Sequence, residues 1–123
     1  MRNYTFMAIY VLLVLLLLPA PAHAAPPDQD GSDCDLLSQA GYTFYAQAKY
    51  PDALQEFQEA LLCYREIGDR AGEGASLNNI GFIYERLGQY EEALDYCEQA
   101  LSIAQEIGDQ AGEGAIFNNI GTI

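Results

Sequence analysis

Histidine is all but missing. The 123-residue chain has one, His23, and only 5 Lys or Arg against 18 Asp or Glu. His23 lies in a segment read below as removed, so the mature chain cannot build a Ser-His-Asp or Cys-His pair, nor a His-ligated zinc site. The formal charge of −13 excludes nucleic acid as a partner, because binding phosphates needs a basic stripe and the positive residues are scattered singly. An anionic membrane surface would repel the chain for the same reason. The cysteines, Cys34, Cys63 and Cys97, form no CxxC pair, which removes the usual metal and redox centres. No cofactor is implied. The length suits one small domain rather than a multidomain enzyme.

What is present begins with an export signal at residues 1–24. Arg2 supplies a positive start and Phe6 to Leu18 is an unbroken apolar run of 13 residues. A bilayer core needs roughly 20, so the run is too short for a membrane anchor. Pro19 and Pro21 break it, and Ala22-His23-Ala24 fits the small-x-small rule for cleavage after Ala24. The expectation is a secreted or periplasmic protein without stable membrane anchoring after cleavage, and still more acidic once Arg2 is gone. Residues 25–35 have no apolar period and concentrate Pro, Gly and Asp, which predicts a flexible acidic linker. Asp28, Asp30 and Asp33 do not make an EF-hand: Gly31 falls fourth where a sixth-position glycine is needed, and position twelve is Gln39.

The rest is a repeat of 40 residues. Gly41, Gly81 and Gly121 keep that spacing, and Glu66-Ile67-Gly68-Asp69 returns as Glu106-Ile107-Gly108-Asp109. The reading is repeat one at 36–75, repeat two at 76–115 and a truncated third at 116–123. Periods of this size mean stacked supersecondary units, none able to bury its apolar face alone. Each unit is helical twice over. Leu77, Ile80, Tyr84 and Leu87 step by 3, 4 and 3, and Ala93, Cys97, Ala100, Ala104 and Ile107 by 4, 3, 4 and 3. Gly88 suits a left-handed helix end, and Pro51 the start of a second helix. Gly68 is placed to end one helix, Asp69 to cap the next and Glu73 near its positive end. That assignment also disposes of Gly68 to Gly74 as a phosphate loop, since the Gly-Lys-Ser/Thr ending is lacking. Glu91-Glu92 is no catalytic dyad, because adjacent helix residues point about 100° apart. On this layout Cys63 and Cys97 lie on neighbouring second helices about 10 Å apart, beyond the ~7 Å limit for bridging. They read as buried thiols, with Cys34 in the linker free to pair with another chain.

The series Leu77, Gly81, Tyr84, Tyr90, Ala93 and Ala100 resembles a tetratricopeptide repeat. Leu37, Gly41, Phe44, Tyr50, Ala53, Phe57 and Ala60 repeat it. The extra length and the Asn-Asn-Ile-Gly string look like the long-repeat branch that includes kinesin light chains, LGN-type adaptors and bacterial arrays preceding CHAT caspase-like domains. The resemblance implies an all-α superhelix of helix hairpins and a non-catalytic scaffold binding a protein or peptide in its concave groove. It also implies the groove residues: Asn78, Asn79, Phe82, Glu85, Arg86, Asn118 and Asn119, with Asn79 and Asn119 hydrogen-bonding ligand backbone. An amide donates and accepts, so it can hold an extended chain without reading its side chains. The same amides could instead cap or bridge within the repeat. Tyr42 and Tyr45 are placed outward. The acidic charge points to basic ligands. Two other readings stand beside this one: a targeting portion ahead of a CHAT-like protease domain, and self-association through an open C-terminal end that lacks a polar cap.

Overall fold

The computed structural model describes residues 30–123. The export signal, with Ala22 and Ala24, and the first part of the expected linker lie outside the described residues. Five α-helices follow one another: α1 Ser32–Ala46, α2 Tyr50–Ile67, α3 Arg70–Arg86, α4 Tyr90–Ile107 and α5 Gln110–Thr122. Helices α1 with α2 and α3 with α4 form antiparallel hairpins, and α5 packs on α4 as the first helix of a third unit. First helices lie side by side in one layer, α5 touching α3, and each packs on the second helix before it, α3 on α2 and α5 on α4. The class is all-α, as expected.

Local chemistry sets the helix ends. Gly68 and Gly108 take φ of 74° and 71°, and the next N–H, from Asp69 or Asp109, donates back to Tyr64 O or Ala104 O at 2.9 Å. Asp69 and Asp109 then turn from ending one helix to starting the next. Each accepts the N–H of the glycine three residues on, Gly72 or Gly112, at 2.9 Å. Packing is built on the same repeat. A methyl at Gly41 would come within 2.7 Å of the Phe57 ring, and one at Gly81 within 2.7 Å of Cys97 Sγ. These glycines let the paired helices close on each other. The main core joins Phe57, Leu61, Leu77, Ile80, Ile83, Cys97, Ile103 and Ile116 across all but the first helix.

Three expectations are corrected. The boundaries at 75/76 and 115/116 fall inside helices, because α3 starts at Arg70 and α5 at Gln110. Ala71 to Ala75 forms the opening turns of α3, behind the Asp69 cap that the sequence indicates. Its glycines are tolerated because Gly72 receives the Tyr64 ring and Gly74 the Ile103 side chain. The acidic linker does not extend to Asp35. Helix α1 begins at Ser32, where Asp30 Oδ1 accepts the Ser32 N–H at 2.9 Å and Asp33 and Asp35 sit in the positive first turn. Finally, Cys34 is not a free linker thiol. It is fully buried on α1 and bonded to Cys63 of α2, with Cα atoms 5.4 Å apart. Cys97 is the free, buried thiol, and burial pushes its pKa up.

Candidate peptide-binding face

The first-helix layer carries the expected site residues in two groups. In the first, Tyr42 of α1 meets Asn79 of α3. The Asn79 Nδ2–H donates to the Tyr42 hydroxyl at 2.9 Å, and that hydroxyl lies 3.2 Å from Asn79 Oδ1. Asn119 of α5 donates from Nδ2 to Asn78 Oδ1 at 2.8 Å. The amides thus bridge neighbouring first helices. They do so without exhausting their capacity, since an amide offers two donors and an acceptor with two lone pairs. No other bond reaches Asn78 Nδ2 or Asn119 Oδ1 among the described residues.

The second group lies one turn further along α3. Tyr45 tilts against Phe82 with ring centroids 5.3 Å apart, and the Arg86 guanidinium covers the Phe82 ring at 4.9 Å. Arg86 Nε also lies 3.4 Å from Glu85 Oε2, an oxygen that is buried and accepts no hydrogen bond. Asn118 is exposed and makes no side-chain hydrogen bond among the described residues. It stands apart from both groups. Tyr42 and Tyr45 are the α1 members of the face that the asparagine pattern alone does not supply, because Gln39 replaces asparagine there.

Charge around the face is fixed by a cluster at the start of α3. Arg65 Nε and Arg70 Nη1 hold the two oxygens of Glu73 at 2.9 and 2.8 Å, and Arg70 also pairs with Glu106. Burial pushes the Glu73 carboxyl up, but the two arginines together outweigh it and hold the pKa below its ordinary value. In the next interval Gln105 and Gln110 replace both arginines, while Glu113 recurs in the place of Glu73. Among the described residues no three His, Cys, Asp or Glu side chains gather as a metal site would require.

Sequence reasoning missed a cavity. About 200 Å³ of space opens between α3 and α5 over α4. Its walls include Gly74, Ala75, Ala100, Ile103, Ala104, Ala115 and Ile116, and its polar lining is Tyr42, Asn78, Asn79 and Asp109. The signal lay in comparing repeats position by position, where Tyr64 gives way to Ala104.

A family model described as tetratricopeptide repeat matches residues 32–106 and, in a second register, 73–123. No curated protein matches the chain.

Proposed function

The chain belongs to the tetratricopeptide repeat family, whose repeats serve protein–protein interaction, and from that premise we propose that it is a non-catalytic scaffold holding an extended peptide segment of a partner on its first-helix face. One observation carries the reading: Asn79 and Asn119 recur at the repeat distance, each with amide capacity left after bridging to Tyr42 and Asn78. A ladder of amides with one repeat's spacing suits a ligand main chain, whose donors and acceptors also recur. Peptides selected from a random displayed library should lose affinity when Asn79→Ala and Asn119→Ala are combined. The expected loss is about 0.5–1.5 kcal/mol for each hydrogen bond removed. Circular dichroism should show the helices intact. A double variant that binds as tightly as its parent sinks the asparagine role.

Export belongs to the same proposal. It is supported by the apolar run before Ala22-His23-Ala24 and by the Cys34–Cys63 disulfide, a bond that persists in oxidising compartments. Sequencing the exported chain should give Ala25 first.

A further inference from the structure

The cavity has a template inside the same molecule. Every position of the second repeat can be laid on the first by a shift of 40, and the space between α3 and α5 then falls on the space between α1 and α3. The earlier space is filled by the Tyr64 ring, which is 6% exposed and packed so closely on Gly72 that a methyl there would collide with it. Its hydroxyl donates to Asp35 Oδ1 at 2.5 Å and lies 3.5 Å from Ser38 Oγ. One repeat on, part of the apolar wall is kept, the ring is not, and its acceptor Asp35 becomes Ala75. Ala60 recurs as Ala100, Ile67 as Ile107 and Gly72 as Gly112, all lining the cavity, while Tyr64 becomes Ala104.

Resting on the peptide-binding reading above, we propose that this cavity seats an aromatic side chain of the partner, tyrosine by preference, placed as the Tyr64 ring is placed one repeat earlier. The size fits: an apolar cavity of about 150 Å³ suffices for benzene, and this one is about 200 Å³. The polar end is changed: no carboxylate stands in the place of Asp35, and an amide donor replaces the serine. The place of Ser38 is taken by Asn78, whose Nδ2 donates to nothing among the described residues and can meet a phenol oxygen. The chain does not fill the space itself. Tyr42, the nearest aromatic of the lining, is held outside by Asn79 and by an edge contact with Phe57 at 5.1 Å, and stays 53% exposed. The seat lies beside Asn79, so a peptide main chain on the amide ladder can drop a side chain into it.

The test uses the full chain and 4-methylphenol, the tyrosine side chain as a free molecule. With alanine methyls labelled, titration should move the signals of Ala75, Ala104 and Ala115 to saturation, and toluene should do so with several-fold weaker affinity. Ala104→Tyr should fill the seat with a residue the fold already accommodates at Tyr64. It should raise the melting temperature by several degrees and abolish the shifts of the Ala75 and Ala115 methyls. Peptides selected against the parent should share one aromatic position and lose binding to Ala104→Tyr. Unmoved methyls in the parent at millimolar 4-methylphenol overturn the seat, and that result needs no variant to fold. Equal shifts in Ala104→Tyr overturn it too. Peptides that depend on Asn79 and Asn119 but ignore Ala104→Tyr keep the groove and end the seat. Saturating methyl shifts in a chain that selects no peptide keep the seat and end the groove.

Discussion

Ala48 holds φ at 58° in the turn between α1 and α2, where Gly88 holds 75° in the matching turn of the second repeat. A left-handed conformation costs a residue with a Cβ about 1–2 kcal/mol, and glycine avoids that cost. Glycine also gives the unfolded chain more freedom, which offsets part of the gain. Ala48→Gly should therefore stabilise by about 0.5–1 kcal/mol in a urea titration, and Gly88→Ala should destabilise by a similar amount. Equal midpoints for Ala48→Gly and its parent would show that the turn is not strained. Glu73 gives a pH-dependent counterpart. Its folded pKa lies below the ordinary value of 4.5, so its charged pairing with Arg65 and Arg70 contributes stability above that pH. The contribution is lost as pH falls through the folded value. The stability difference between the parent and Glu73→Gln should be constant from pH 7 to about pH 5 and then shrink with acid. A difference independent of pH would mean that packing, and not charge, holds Glu73.

At the scale of the element, the disulfide decides how α1 is held. Positions 34 and 63 correspond to Gly74 and Ile103 one repeat later, and there the contact is a side chain resting on a glycine. The first hairpin has the covalent bond in its place, beside a small cluster of Cys34, Ala60 and Tyr64 that is separate from the main core. Closing a loop of sequence separation 29 is worth about 3–4 kcal/mol on the chain-entropy account. Reduction should lower the urea midpoint and speed amide exchange in α1, leaving α3 and α4 protected, because repeats are stabilised mainly by their neighbours. Uniform loss of protection in all five helices would contradict that. The same element shows where sequence reading stopped. The helix pairs, the Gly-Asp junctions and the close approach at Gly81 were legible because each has a period or a cap behind it. The start of α1 was not, because Gly31, Ser32 and Asp33 have the composition of a linker, and the end of that run becomes helical only through the Asp30 cap and the buried Cys34. Placing Cys34 outside the repeat hid its partner. Among the candidate site residues, the amides could be found by their spacing, but Tyr42 bridging to Asn79 is a contact between repeats that no single repeat displays. The cavity required two repeats to be compared for what one of them lacks.

At the scale of the whole molecule, the cations among the described residues are engaged internally. Arg65 and Arg70 face Glu73, Arg86 lies over Phe82, and Lys49 Nζ stands 5.9 Å from the Phe44 ring centre. What the protein shows a partner at long range is therefore its excess of carboxylates. Two consequences have opposite signs in salt. Carboxylates repel one another in the folded state, so screening should raise the melting temperature. The same screening should weaken the attraction to a basic peptide, as the Debye length falls from about 10 Å at 0.1 M to about 3 Å at 1 M. Most of the weakening should appear as slower association, since long-range charge steers encounter more than it holds the complex. The measurement pairs two titrations of sodium chloride on one preparation. One is a series of melts, and the other is surface-plasmon kinetics with a selected peptide carrying Lys or Arg. Melting temperature rising while the association rate falls fits an acidic face that recruits a basic segment. Both falling together would mean that salt loosens the fold itself. A basic peptide whose association is indifferent to salt would mean that the charge serves solubility and not recognition.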